Sequence, residues 1–139
     1  MLNLFCAGSS RKELGERRGF IGIVGYLDGK IVLKHAACVG LASIHEASYH
    51  ALITALVLSK RVGERKLDIK SDSNLVVMQL KGDCAIDVKR LASLASTFHQ
   101  LEDSFDLVTV EQGTDDDAKS LAQLSDPLDY IDPSLRKAA

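Results

Sequence analysis

A mixed α/β domain is the fold class this sequence predicts: one five-stranded sheet, antiparallel where hairpins join its first strands and parallel afterwards, with helices on both faces. Two observations lead there. Apolar, β-rich stretches crowd the first forty residues around an Asp28-Gly29 pair, and both positions of a two-residue hairpin turn tolerate positive φ in Asp and Gly. From Ser43 onward, helical periodicity alternates with short strand-like runs, an order that a sheet covered on two sides accommodates.

The elements follow in order. Residues 2–6 read as a strand that ends at Gly8-Ser9-Ser10 and a charged loop over residues 11–18. Residues 19–27 form the next strand, and residues 30–39 return antiparallel after the Asp28-Gly29 turn. Gly19, Gly22 and Gly25 mark close packing or bulges there. Ser43 caps a helix and Glu46, three residues on, returns the bond; Ala47, Ala51, Ala55 and Leu58 share one stripe, and Gly63 ends it after Val62. Residues 66–71 make a strand, 74–81 a short helix, and 86–102 a longer one that turns Leu91, Leu94, Ala95, Phe98 and Leu101 inward. Residues 105–111 form the last strand. Asp115-Asp116-Asp117 opens a final helix, where acidic side chains suit the positive end of the dipole. The domain is expected to span residues 1–124, leaving 125–139, punctuated by Pro127 and Pro133, as a partly ordered tail.

With 139 residues and 46% hydrophobic content, one core suffices without disulfides or structural metal. The longest apolar runs stop well short of the roughly 20 residues a bilayer span requires, and no leader pattern opens the chain. A soluble, cytoplasmic protein with no membrane partner is expected. Cys6, Cys38 and Cys84 lack metal-ligand spacing and read as buried free thiols. Charge is uneven: residues 1–70 hold 11 Lys/Arg and 6 Asp/Glu (+5), whereas residues 71–139 hold 6 and 13 (−7). The N-terminal excess gathers in Arg11-Lys12, Arg17-Arg18 and Lys60-Arg61-Arg65-Lys66, either a phosphate-facing surface or ordinary solvated charge. No G-x-G-x-x-G, P-loop, G-x-S-x-G or H-E-x-x-H motif is present.

One acidic pair stands out. Glu46 lies in the first turn of the long helix and Asp72 just past the strand over 66–71, so the two carboxylates meet if that helix packs across the strand ends. Carboxylates converging from different elements are what hard divalent cations require. Each residue also has a plain structural reading, Glu46 in a capping box and Asp72 as a helix N-cap.

The stretch His45-Glu46-Ala47-Ser48-Tyr49-His50-Ala51-Leu52 resembles the Asn-Glu-Ala-Glu-Tyr-x-Ala-Leu segment of ribonuclease HI, especially its reverse-transcriptase-like branch. Ser71-Asp72-Ser73-Asn74-Leu75-Val76 is similar to the family's next motif, and Phe5-Cys6-Ala7-Gly8-Ser9-Ser10 to its opening Asp-Gly-Ser segment. Residues 108–122 resemble the closing Val-His-Val-Pro-Arg-x-x-Asn-x-x-Ala-Asp-x-Leu-Ala, with Ala118, Leu121 and Ala122 matching. The resemblance implies a ribonuclease H-like fold, a site holding Mg or Mn if the chain is active, and an RNA/DNA hybrid or RNA as partner. It implies Glu46 and Asp72 as a remnant catalytic and metal-binding pair. Ala7 then stands in the place of the first aspartate and Lys119 in that of the last. A lysine there adds charge where an ion would sit; it pairs with Glu46 or Asp72, or faces solvent. Asp115, one turn before Lys119, is the candidate substitute ligand. Gly8, Ser9, Ser10, Arg11, Lys12, Ser73 and Asn74 are the expected nucleic-acid contacts.

Three functions follow from these departures. The first is a catalytically impaired nucleic-acid-binding domain for RNA/DNA hybrid or duplex RNA. The second is an active or manganese-dependent endoribonuclease, and the third a scaffold that pairs with itself or another protein.

Overall fold

A computed structural model describes residues 1–135 of the chain. Three long strands come first, β1 (Leu2–Glu13), β2 (Glu16–Leu27) and β3 (Lys30–Leu41). Then follow α1 (Ile44–Val62), β4 (Lys66–Ser71), α2 (Asn74–Leu80), α3 (Lys89–Glu102), β5 (Leu107–Gln112), α4 (Asp116–Leu121), β6 (Leu128–Ile131) and a 3₁₀ turn over Pro133–Leu135. One sheet runs in the order β5-β4-β1-β2-β3-β6. β1 pairs parallel with β4 and β4 with β5, while β1–β2, β2–β3 and β3–β6 are antiparallel. The mixed α/β architecture expected from the sequence is present, with six strands in place of five.

The additional strand comes from the expected tail. β6 pairs residues 128–131 with Leu33, Lys34, His35 and Ala36 of β3, which satisfies backbone groups that an edge strand leaves open. Ile131 is 4% exposed and packs into the main core. Residues 136–139, the end of the segment read as a tail, lie outside the described residues.

The first hairpin also departs from expectation. Residues 7–18 are not a break and a charged loop: β1 and β2 continue in register to Arg11↔Arg18, Lys12↔Arg17 and Glu13↔Glu16. Leu14 and Gly15, at φ 51° and 83°, close them in a two-residue turn. The Gly-Ser-Ser stretch looked like punctuation, but paired neighbours on both sides hold it extended.

Elsewhere local chemistry decides the ends. Ser43 accepts from the Glu46 backbone N–H and Glu46 reaches back to the Ser43 N–H, completing the capping box, and Gly63 ends α1 at φ 86°. α3 begins at Lys89, later than expected, with no side-chain cap at Val88.

Two clusters fill the two faces of the sheet. The larger joins Leu4, Cys6, Ile21 and Ile23 to Leu52, Leu56 and Phe98 from α1 and α3. The smaller sets Ala7, Val24 and Ala36 against Ala118, Leu121 and Ala122 from α4 and the residue after it. Adjacent residues Cys6 and Ala7 belong to opposite clusters, as strand alternation requires. Cys6 alone of the three cysteines is buried; Cys38 is exposed and Cys84 half-buried, which corrects the expectation of three buried thiols.

Candidate functional site

Alternation along β1 builds the floor of a cleft. Ala7 turns toward α4 and Gly8 toward α1: a methyl group at Gly8 would come within 2.6 Å of the Ser48 backbone nitrogen, so the helix lies against the strand only because no Cβ intervenes. Ser9 returns to the α4 side, its hydroxyl donating to the Ala122 carbonyl at 2.7 Å. Ser10 faces the other way and donates to the Ala42 carbonyl at 3.1 Å.

β4 delivers Asp72. Its backbone N–H donates to the Cys6 carbonyl at 3.2 Å, and its Oδ1 accepts from the Gly8 N–H at 3.4 Å. Burial pushes the Asp72 carboxyl above the usual carboxylate range, opposed by those two N–H groups and by the Lys119 ammonium. Ser73, not Asp72, caps α2, its hydroxyl accepting from the Val76 N–H. Asp72 is thereby left facing the cleft.

The cleft measures about 390 Å³, and Ala7, Gly8, Ser9, Asp72, Lys119 and Gln123 contribute to its walls. An adjoining notch of about 110 Å³ lies between Gly8, His45, Ser48, Asp72 and Ser73. His45 is exposed and sits on the rim of that notch.

The expected pairing of Glu46 with Asp72 does not form. Glu46 lines neither space; its carboxylate receives the Ser43 N–H at 3.2 Å and approaches Arg90 at 3.8 Å, bordering a separate cleft with Arg17 and Ser43. Helical geometry is the reason: two residues advance a helix by roughly 200°, so Ser48, not Glu46, faces Gly8 and Asp72. Ser48 is 2% exposed. It stands at the second glutamate of the ribonuclease HI segment that residues 45–52 resemble, and that doubled glutamate was the signal that the sequence offered. Ser120 and Gln123, also in the walls, carried no sequence signal.

Asp115 is likewise engaged away from Asp72. One carboxylate oxygen accepts from the Ala118 N–H at 3.0 Å and caps α4, while the other accepts from the Tyr26 hydroxyl at 3.0 Å. Burial and that bond push the Tyr26 phenol up to about 12. Lys119 makes no ion pair with Glu46 or Asp72 within 4.0 Å and is exposed on α4.

Of the expected nucleic-acid contacts, Gly8 and Ser9 line the cleft and Ser73 the notch. Arg11 lies over the Phe20 ring at 3.6 Å and donates to the Ala122 and Leu124 carbonyls at the lip. Lys12 projects at the hairpin tip and Asn74 is exposed on α2. Ser10 lies away from the cleft, bonded to Ala42.

The cleft's donor set does not fit a pair of divalent ions. Asp72 is its one carboxylate, an ammonium lines the same wall, and among the described residues no three His, Cys, Asp or Glu side chains converge to hold a metal. Hard cations require several oxygen ligands, which alanine and lysine do not supply.

Comparison with known proteins gives a consistent picture. A family model described as reverse transcriptase-like matches residues 15–114. Ribonuclease H1 from Halobacterium salinarum superposes with a TM-score of 0.77 at 27% identity, covering 87% of this chain and 93% of that one. The N-terminal ribonuclease H domain of rv2228c from Mycobacterium tuberculosis superposes at 0.74 with 20% identity over 86% and 95%. LC11-RNase H1, solved in complex with an RNA/DNA hybrid, superposes at 0.78 with 19% identity over 87% and 93%. A sequence search of curated proteins finds no match.

Proposed function

Because the chain belongs to the reverse-transcriptase-like family of the ribonuclease H-like superfamily, we propose that it is a nucleic-acid-binding domain for RNA/DNA hybrid or duplex RNA that does not cleave its ligand. The observation that carries this reading is the cleft wall. Around Asp72 stand Ala7, Ser48 and Lys119, none of which supplies a carboxylate. Two-metal hydrolysis needs ions held about 4 Å apart between anionic ligands, and a single carboxylate facing an ammonium does not hold them.

Binding has separate support. The β1–β2 hairpin sets Arg11 opposite Arg18 and Lys12 opposite Arg17. Like charges directly across a strand pair are destabilising; Glu16 approaches Arg18 at 3.8 Å, and a polyanion would relieve the remaining cations. The hairpin adjoins the cleft through Arg11. A groove lined by glycine and serine fits a duplex read by shape and 2′-hydroxyls.

The test is an end-labelled RNA/DNA hybrid incubated with the protein in Mg²⁺ and then Mn²⁺, beside an Asp72→Asn control purified identically. Retardation on a native gel without cleavage is expected. Cleavage by the wild type and not by the control would establish a manganese- or magnesium-dependent endoribonuclease instead. Absence of both cleavage and retardation would favour the scaffold.

A further inference from the structure

The family's site works with bound cations, yet this cleft carries its own. Its two charged side chains are Asp72 and Lys119, formally −1 and +1, so the space is close to neutral without any ion. A site with carboxylates at all the family positions repels a phosphate until cations enter it; this one presents no such barrier. Lys119 is well placed to act. α4 is anchored by its Asp115 cap, by buried Ala118, Leu121 and Ala122, and by the Ser9 hydroxyl on the Ala122 carbonyl. The Lys119 backbone is therefore held against the sheet while its side chain remains exposed. No carboxylate among the described residues lies within 4.0 Å of its ammonium. Ser120 and Gln123 share that wall and offer neutral donors beside it. Arg11 at the lip also has no ion-pair partner there, its guanidinium bonded only to carbonyls.

We propose that the Lys119 ammonium takes the place of a divalent cation, receiving a backbone phosphate of the duplex in the cleft between Ala7, Asp72 and Lys119, so that hybrid binding needs no metal. This rests on the nucleic-acid reading above and specifies how the same cleft engages its ligand. A lysine is a compact point charge with three donors, suited to one phosphate oxygen at a time. Asp72, held by the Gly8 N–H, borders the same space.

The experiment is fluorescence anisotropy of a labelled RNA/DNA hybrid titrated with wild type, Lys119→Ala, Lys119→Gln and Lys119→Arg, each in EDTA and in Mg²⁺ over a range of salt. Wild-type affinity is expected to be the same in both buffers within about twofold, since no divalent ion is recruited at the cleft. Lys119→Ala and Lys119→Gln should each weaken binding about tenfold and lower the slope of log affinity against log salt by about one, the signature of one lost phosphate contact. Lys119→Arg should retain most of the affinity, because the charge is kept. Wild-type binding that collapses in EDTA, or alanine and glutamine variants that match wild type in affinity and slope, would overturn the inference while leaving the nucleic-acid reading intact. A wild type that binds no hybrid in either buffer would overturn both.

Discussion

Ser48 and Glu46 sit two residues apart on α1 and do opposite things. Glu46 closes the capping box at the helix start, whereas Ser48 is buried against Gly8 beside Asp72. Replacing Glu46 by Ala should therefore cost about 0.5–1 kcal/mol of stability through the lost cap and leave hybrid affinity unchanged within twofold; denaturant melts and anisotropy on the same preparation check both. A loss of affinity without a loss of stability would return Glu46 to the site. Asp72 makes a pH-dependent prediction. Burial raises its folded-state pKa, so the native state binds this proton more readily than the unfolded chain does. Its ionisation then lowers stability as pH climbs from the ordinary carboxylate range through the raised value. Asp72→Asn removes that penalty: the variant should melt higher than wild type at neutral pH, and the gap should close in acid below the ordinary carboxylate range. A gap that is constant with pH would assign the effect to packing rather than charge.

At the scale of elements, the cleft depends on how closely α4 approaches the sheet. A Cβ at Gly22 would collide with the Ala118 carbonyl oxygen and the Ala122 nitrogen, both backbone atoms that have no rotamer in which to escape. Ala7, Ala36, Ala118 and Ala122 complete a contact made of small side chains. Gly22→Val should cost about 1–3 kcal/mol by overpacking and push α4 outward, carrying Lys119 with it. Urea unfolding would give the stability loss, and hybrid binding should weaken in parallel with it. Unimpaired affinity in a destabilised Gly22→Val protein would show that the α4 wall does not contact the ligand. The early strands reveal a related lesson. Gly19, Gly22 and Gly25 were legible as positions of close packing or bulges, and the β2–β3 register shifts at Arg18/Phe20 and Gly25/Tyr26, but which helix presses on Gly22 depends on a chain segment nearly a hundred residues later.

Over the whole molecule, the uneven charge of the two halves becomes a surface argument. The hairpin gathers Arg11, Lys12, Arg17 and Arg18 on paired positions, while the clusters near Lys60 and Lys66 lie at the far end of α1 and the start of β4. Of these cations, Arg11 reaches the cleft wall through the Ala122 carbonyl, while Arg17 borders the separate cleft beside Ser43 and Glu46. A Lys12→Ser, Arg17→Ser double variant should weaken hybrid binding uniformly across sequences and reduce the salt slope by about two if both cations meet phosphates. The same exchange at Lys60 and Arg61 should change neither. Equal effects from both pairs would mean that the protein binds as a diffuse polycation without a defined face. Among the described residues no helix is long and apolar enough to cross a membrane.

The sequence by itself determined what neighbours along the chain decide. The capping box at Ser43 and Glu46, the Gly63 stop, the Asp28-Gly29 turn at φ 51° and 77° and the Asp115 cap all rest on bonds or φ values set within a few residues. Periodicity separated helix from strand for the same local reason, and the ordered motifs were enough to imply the ribonuclease H-like fold. Tertiary structure alone decided which side chains share a space. It extended β1 through Gly8 because β2 pairs with it, added β6 because β3 had an open edge, and turned Ser48 toward Asp72 in place of Glu46. The last two depend on groups far apart in sequence and the first on a partner strand across the turn, and hydrogen-bond satisfaction and close packing act on distance in space, which residue spacing along the chain does not encode.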